Sequence, residues 1–595
     1  MSVQGQSLRR QELWLLAAIL LLATLLRAGW PKLTEFKFSE ARLQALAMEL
    51  TREGNLPLVG VPSSAGFDHS PLSVYLYAPA FLLTTNPIPA TIYGGLAGVA
   101  AVALCWWLAR KWPGGGSWAA SIAALLLAVS PWAVAFSRKI WQVTYVPLLA
   151  LAFVGLVVSS LVEERRWNLA WAVVVLSVLV QIHPSAISLG LALLIWLILF
   201  WRQVRLGPLL AGVGLGLLAA LPFVAHQLRS GWPALAALRS LPRAAWDLGA
   251  MRLAWEAITG RGIHALAGEG YPLLRLVPEL GWTFNLVGWL TLGAALWLAW
   301  RLLASWRADD AGGRRSARVD LILLLWLVIP IVFNLRHSLD LHLHFFALIL
   351  PAAFLLIGRA VQDLRRRQVA RAQHILKAAV VLVLGFLVVG QLVALGIMAR
   401  FVATHETPGG FERPLGRYLE VAGEAVKAAN EAGASEILVV GQGDSPVVDE
   451  IPAIFDVLLR GRIPYRFVDG TTAAVFPSHH AVALVAPRAG DAARWDQPWQ
   501  RGTLVDGFSL APLGGEWPEG DLAPIAGHRL FQNGVEFQEY GWQGETADGQ
   551  QRAWLMWEVL WLSADDTHFF VQMLDESMRP LGQQDGDGYP TAYLV

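Results

Sequence analysis

Apolar positions run almost unbroken through residues 1–404, and polar positions return in the last third of the chain. Apolar runs fall near 13–30, 88–109, 117–135, 143–162, 168–182, 185–201, 207–227, 282–304, 319–336, 341–360 and 375–399. A helix needs about 20 apolar residues to cross the hydrocarbon of a bilayer. The runs therefore predict a polytopic α-helical membrane protein with about eleven transmembrane helices. Residues 71–85 (PLSVYLYAPAFLLTT) are apolar but short and bounded by proline, which predicts an interfacial or re-entrant helix. Arg9 and Arg10 precede the run Leu13–Leu26, and no small-x-small site follows it. That run is read as the first span and not as a cleaved signal peptide.

Basic residues orient the spans. With the N-terminus inside, the inner loops carry Arg110 and Lys111, Arg165 and Arg166, Arg202 and Arg205, then Arg307, Arg314, Arg315 and Arg318, and last Arg365, Arg366, Arg367 and Arg371. This is the positive-inside pattern. It predicts a multi-pass protein of the cell membrane with a cytoplasmic N-terminus and residues 405–595 outside. Two outer loops, 31–70 and 228–281, are long, and long loops carry function more often than short ones.

In the last third the period changes. Residues 413–432 and 449–460 read as helices, and Glu436–Gly441, 464–468 and 481–486 as strands, which predicts an α/β unit over 405–500. Short alternating strands follow, among them Trp554–Leu562 and His568–Leu574, and predict a β-sandwich over 501–595. The chain ends at Ala592-Tyr-Leu-Val without a closing turn, so the sandwich is expected to be incomplete.

Composition sharpens this picture. The 595 residues are 55% hydrophobic and 15% charged, against about 25% charged in a soluble chain. Residues 405–595 hold 28 acidic and 12 basic side chains. The near-neutral total thus hides a basic membrane part, suited to anionic lipids, and an acidic outer part. No nucleic-acid partner is implied. The single cysteine, Cys105, excludes a disulfide within the chain and a cysteine-based metal site. Trp14, Trp30, Trp112, Trp141, Trp201 and Trp282 stand near the ends of apolar runs and predict an interfacial aromatic belt.

Four polar segments lie at expected outer ends. In the first, Leu43, Leu46, Ala47 and Leu50 follow helical spacing behind Ser39 and Glu40. This predicts an amphipathic helix on the membrane surface with Ser39 as N-cap and Glu40 in the first turn. Two readings of the pair stand open: helix-start signals, or a carboxylate held toward a substrate. In the second, Asp68 and His69 precede Pro71. They are either caps of the next helix or a second acid with a donor. In the third, Arg138 and Lys139 are adjacent cations against the charge bias, pairing with lipid phosphates or with the phosphate of a lipid-linked substrate. In the fourth, Arg336, His337, Asp340, His342 and His344 crowd a hairpin between two spans. Polar groups at membrane depth are costly and point to function. His342 and His344 lack the i, i+4 spacing of a helical metal pair, so no metal is assigned, and a divalent ion there stays open as an alternative. His183, in Gln181-Ile-His183-Pro184, ends another span. No Gly-rich phosphate loop with lysine and no metalloprotease helix occurs.

In the order of these segments the chain resembles the GT-C glycosyltransferases, most of all the family 39 branch, which includes protein mannosyltransferases and the lipid A aminoarabinose transferase. The resemblance covers residues 10–400. It rests on the helix Phe36 to Ala41, then SPLSVYLYAPAF, SPWAVAFSRKIW, QIHPSA and RHSLDLHLHFFALILPAAFLLIG. It implies a GT-C-like membrane module, ahead of the α/β and β-sandwich regions read from the pattern of the last third. It also implies a hexosyl- or pentosyltransferase that takes sugar from a polyprenyl-phosphate donor, inverting, to a glycan, lipid or protein acceptor. An outer carboxylate would act as general base, and basic residues would stabilise the departing phosphate. Glu40 matches the Glu of the family's Asp-Glu pair, and Ser39 stands where the Asp is expected. Asp68 is the other candidate base. Arg138, Lys139, Arg336 and His337 match lipid-phosphate contacts. Gln142 and Thr144 occupy the neighbourhood in which the family often has a second acid. The rival readings are a catalytically silent binder of lipid-linked sugars, favoured by Ser39, and a transporter of them, which would show matching broken halves.

Overall fold

Apolar runs become helices wherever their length allows, in a computed structural model that describes residues 10–63, 66–268, 280–305, 311–367, 370–471, 475, 477, 479–487, 489, 503–513, 523–530, 535–545, 551–559, 569–574 and 580–586. The chain forms two units, Met1–Tyr418 and Leu419–Val595. The first contains α1 (Arg10–Ala28), α2 (Phe38–Met48), α3 (Leu72–Phe81), α4 (Pro87–Lys111), α5 (Ser117–Val129), α6 (Pro131–Ser137), α7 (Val146–Leu161) and α8 (Asn168–Ile182). Then come α9 (Ile187–Leu199), α10 (Leu206–Arg229), α11 (Pro233–Ser240), α12 (Gly249–Thr259), α13 (Leu280–Ser305), α14 (Ala311–Phe333), α15 (Leu350–Arg367) and α16 (Ala370–Thr404).

Among the described residues eight helices are long and apolar enough to cross a membrane, or nine if the bent pair α5–α6 is one span. The expected spans near 168–182 and 185–201 are present as α8 and α9, of 15 and 13 residues. At 1.5 Å per residue α8 reaches about 22 Å, short of a hydrocarbon core about 30 Å thick. The outward faces confirm the solvent. Leu210, Leu217, Val381 and Leu382 are each at least 60% exposed. Apolar surface on that scale is stable against lipid and not against water. The chain is a multi-pass membrane protein. Trp14, Trp30, Trp201 and Trp282 are exposed at helix ends as a belt requires, whereas Trp112 is buried.

Two arginines knit the first helices together. Pro131 has no N–H, so the carbonyl of Leu127 loses its helical partner and the chain bends by 63° between α5 and α6. Arg27, from the last turn of α1, fills the gap: Nη2 donates to Leu127 O at 2.7 Å and Nη1 to Ala128 O at 2.6 Å. Gly98 of α4 makes the space, because a Cβ there would lie 2.6 Å from Ser137 Cβ and 2.8 Å from Arg27 Cδ. Arg138 returns the service to α1. Its Nη1 donates to Leu26 O and Gly29 O, both at 2.8 Å, and its Nη2 to Trp30 O at 3.0 Å and Leu33 O at 2.9 Å. Cations satisfy the orphan carbonyls of a helix C-terminus and suit its dipole.

Helix α2 departs from the sequence reading. It does not lie on a surface by one face: Glu40, Ala41 and every residue from Leu43 to Met48 are buried. The alternation expected of an amphipathic helix is overridden by packing on both sides. The helix also starts earlier, with Lys37 in an extended conformation as N-cap, so Ser39 is inside the first turn and is not the cap.

In the second unit, α17 (Leu415–Glu431, which crosses the division) precedes β3 (Glu436–Gly441), α18 (Glu450–Leu459), β4 (Tyr465–Asp469) and β5 (Ala481–Val485). Two minimal strands of the first unit, β1 (Ala245–Trp246) and β2 (Arg336–His337), come before these in the chain. The sheet runs β4-β3-β5-β7-β6, with β6 at Thr503–Val505 and β7 at Phe508–Leu513. Strands β4 and β5 flank β3 in parallel, while β7 runs antiparallel to β5. The expected break near residue 500 is therefore displaced. Strands β6 and β7 complete the α/β sheet, because β7 covers the β5 edge that would otherwise stay unpaired. Further on, β8 (Ala523–Leu530), β9 (Val535–Glu545) and β10 (Gln551–Val559) form one antiparallel sheet, and β11 (Phe569–Leu574) pairs with β12 (Pro580–Gly586). The expected missing closure at Ala592–Val595 lies outside the described residues.

Candidate active site

Lys37 sits in extended backbone (φ −123°, ψ −169°) between Glu35 and the start of α2. In such backbone, side chains two apart lie on the same side, so Glu35 and Lys37 face together. Glu40, at the third helical position, turns back and its Oε2 accepts the Lys37 N–H at 3.0 Å. This is the returning half of a capping box, and it fixes the carboxylate. Glu40 is 1% exposed.

Lys139 meets these residues from the turn after α6. Its Nζ lies 3.0 Å from Glu35 Oε1 and 3.2 Å from Glu40 Oε1. Lys37 Nζ lies 3.2 Å from Glu35 Oε1 and donates to Gly410 O at 2.5 Å. Burial alone would discharge Lys139, but Glu35 and Glu40 outweigh it and raise its pKa above the ordinary lysine value. Lys139 is thus held as an ammonium. Its backbone is pinned as well: the carbonyl accepts from Tyr77 OH at 2.8 Å and from Thr144 Oγ1 at 3.0 Å. Tyr77, from α3, is fully buried, and its oxygen also accepts the Trp141 N–H at 3.2 Å. Residues 32–37 in turn receive the end of the first unit, with Leu415 N donating to Thr34 O at 2.8 Å and a bridge between Glu35 and Pro414.

An aromatic and imidazole wall continues from Lys139. Its Nζ stands 4.6 Å from the Trp141 ring centroid, and that ring meets His344 at 4.8 Å. His344 meets His183 edge-on at 5.1 Å and stacks on His342 at 5.4 Å. His183 is buried at the end of α8, with Nδ1 2.8 Å from Ser185 Oγ. Among the described residues no group of three His, Cys, Asp or Glu is arranged to hold a metal ion. The histidines present faces and edges to one another in place of converging nitrogens.

The other sequence candidates divide. Asp68 and His69 occupy a turn-back in which Gly60 N donates to His69 O and His69 N to Val61 O. Asp68 bridges to Pro62 by backbone and is not a member of the lysine–carboxylate centre. Burial pushes His69 down to about 4, so it is neutral at pH 7. His337 donates from Nδ1 to Leu339 O at 2.7 Å and faces Asp247 Oδ2 from Nε2 at 3.4 Å. It ties β2 to the β1 hairpin, where Trp246 pairs with Arg336, and Arg336 is exposed. Arg138 is placed beside the centre, but its fork is occupied by the carbonyls ending α1. The expectation that it contacts phosphate is corrected on that ground. Sequence reading passed over Glu35, Lys37 and Tyr77. The signal for two of them was present in the acid–base alternation Glu35-Phe36-Lys37, two residues ahead of the helix that carries Glu40.

No protein-family model matches the chain, and no curated protein sequence does either. Solved structures do. The structure of ArnT from Cupriavidus metallidurans bound to undecaprenyl phosphate aligns with a TM-score of 0.53 at 13% identity, over 84% of this chain and 97% of that one. The same protein in its apo state gives 0.50 at 12% identity, over 84% and 98%. At such identity the likeness shows a shared fold alone, that of these ArnT structures.

Proposed function

We propose that the chain is an inverting glycosyltransferase that moves a hexose or pentose from a polyprenyl-phosphate donor to an acceptor hydroxyl at the outer membrane face. The observation that carries this reading is Lys139, half-buried and held between Glu35 and Glu40 at one end of the bundle. A lysine is a compact charge on a flexible stem and can change partners. The phosphate of a lipid-linked donor would draw Lys139 away from Glu40. That exchange frees one oxygen of Glu40 as the general base and places a cation where the leaving phosphate gathers charge. Glu40 then takes the proton of the acceptor hydroxyl. The acceptor oxygen bonds to the anomeric carbon as the bond from that carbon to the phosphate oxygen breaks on the opposite face. The phosphate leaves with the bonding electrons.

Trp141, His183, His342 and His344 would line the sugar side, an aromatic face suiting the apolar face of a pyranose or furanose. Neutral His69 lies within electrostatic reach of His183 and His344, with Asp68 next to it in the chain, and exposed Arg336 would receive the phosphate at the mouth. The likeness to a protein solved with undecaprenyl phosphate supports the donor class. The basic inner loops support a cytoplasmic N-terminus with the second unit outside.

The second reading, a silent binder of lipid-linked sugars, is favoured by Ser39 at the family's Asp position. Radiolabelled polyprenyl-phosphate hexoses and pentoses, incubated with membranes containing the wild type or Glu40→Gln, separate the two. Transfer that disappears in Glu40→Gln is the expected result. Donor binding without transfer across the panel would leave the silent binder.

A further inference from the structure

A second ionic centre lies at the other end of α15. His344 precedes that helix and Arg366 and Arg367 end it, so about 27 Å of helix separates the two ends. A cavity of about 280 Å³ opens there, lined by Gly114, Arg301, Gly312, Ser316, Arg366 and Arg367, among others. Behind it sits Asp320, which is fully buried. Asp320 pairs with Arg301, and its Oδ1 accepts from Arg359 Nε at 2.7 Å. Asp363 takes Arg301 Nη1 at 2.8 Å and Arg367 Nε at 2.9 Å. Arg366 donates to the carbonyls of Gly114 at 3.1 Å and Gly115 at 2.5 Å.

Among the described residues three guanidiniums, those of Arg301, Arg359 and Arg367, thus share two carboxylates, and Arg366 bonds carbonyls. Arg359 Nη1 is buried with no partner among the described residues. It belongs to a side chain 1% exposed whose Nη2 lies 3.3 Å from Ser316 Oγ, on the cavity wall. Asp320 and Asp363 balance the inner Arg301 and Arg359, so the surplus positive charge lies on the exposed Arg366 and Arg367 at the cavity rim, where it attracts an anion. Planar forks grouped around a cavity select oxyanions with several acceptor oxygens, phosphoryl groups above all. Among the described residues no aromatic side chain lines the cavity to stack on a nucleotide base. The cavity opens where the ends of α13, α14 and α15 meet, and basic pockets between spanning helices bind anionic headgroups.

We propose that this cavity is a binding site for a phosphoryl monoanion, separate from the candidate active site. The source is an anionic phospholipid headgroup or a soluble phosphate, and one experiment distinguishes them. The purified, delipidated protein is titrated with phosphatidylglycerol or phosphatidylcholine, with and without inorganic phosphate, and bound lipid is read by native mass spectrometry. The wild type is expected to retain phosphatidylglycerol over phosphatidylcholine. The double variant Arg366→Gln/Arg367→Gln is expected to lose about thirtyfold in that affinity. Arg365→Gln, whose guanidinium stacks over Trp118 and not on the cavity, is expected to bind like the wild type. Phosphatidylglycerol binding unaffected by inorganic phosphate marks the headgroup as ligand, and competition by phosphate marks a soluble phosphoryl group. If the double variant aggregates, Gly312→Asp decides, because it sets a carboxylate at an exposed position of the cavity rim without removing an arginine. Equal retention of the two lipids without phosphate competition, or phosphatidylglycerol binding undiminished in monodisperse Gly312→Asp, overturns the proposal.

Discussion

The two ends of the helical unit each bury an ionic cluster, and they are built from different cations. At the Arg301–Asp320–Arg359 end every carboxylate oxygen faces an arginine fork, and the arginines also hold Ser316, Gly114 and Gly115. Rigid forks with several fixed bonds lock the ends of α13, α14 and α15 together. At the Glu35–Lys139–Glu40 end the cations are lysines, each held mainly by carboxylates, beside a wall of Trp141 and histidines. A lysine gives up one partner for another without rebuilding its surroundings. The difference separates a fixed arginine frame, with the proposed anion cavity at its rim, from a site whose charges can move.

The largest test of this contrast is Lys139→Met. It strands the buried carboxylate of Glu40 and leaves Glu35 with Lys37 alone, and losing one partner of a buried pair costs about 3–5 kcal/mol. Sugar transfer should fall by about a thousandfold, from loss of charge on the departing phosphate, and the unfolding midpoint in detergent should drop with it. Retained transfer would remove Lys139 from the mechanism. Next comes Asp320→Asn, which leaves Arg301 and Arg359 facing an uncharged group. Stability should fall by about 3 kcal/mol while the KM for donor stays at the wild-type value in whatever fraction remains folded. A raised KM would join the two ends that the account keeps apart.

Tyr77→Phe is milder. It removes one hydrogen bond to Lys139 O and one from Trp141 N–H, at about 1 kcal/mol each. Tyr77 is a positioning residue, so kcat should fall about tenfold with KM unchanged. An unchanged kcat would show that the turn holds itself. The smallest effect is pH-linked. Burial depresses His69 to about 4 from an ordinary 6.5. Between those values the unfolded chain binds more protons than the folded one, so stability rises with pH across that window and is flat above it. His69→Gln should show a shallower rise in unfolding midpoint from pH 4.5 to 6.5. Slopes equal to the wild type would place the ring in water.

Much of the membrane architecture was legible because apolar runs have nowhere else to go, and β3 matched its expected Glu436–Gly441 limits as a wholly buried inner strand. What stayed hidden depended on partners distant in sequence. Arg138 reads as a phosphate ligand until the open carbonyls of Leu26 and Gly29, more than 100 residues earlier, claim it. Ser39 reads as an N-cap, yet Glu40 reaches back to Lys37 and starts the helix two residues sooner. Strands β6 and β7 looked like the opening of a new sheet, because only the three-dimensional edge of β5 says where they pair. At the candidate site Glu40 and Lys139 were visible as isolated charges. That they meet, with Glu35 between two lysines, was not.

The central claim is that Lys139 leaves Glu40 for the donor phosphate. Equilibrium binding of polyprenyl phosphate to the wild type, Lys139→Gln and Glu40→Gln tests it most directly. The account predicts that Lys139→Gln binds weakly, while Glu40→Gln binds at least as tightly as the wild type because a competitor for the ammonium is gone. If Glu40→Gln loses affinity as far as Lys139→Gln does, the pair works as a fixed unit and the exchange is wrong.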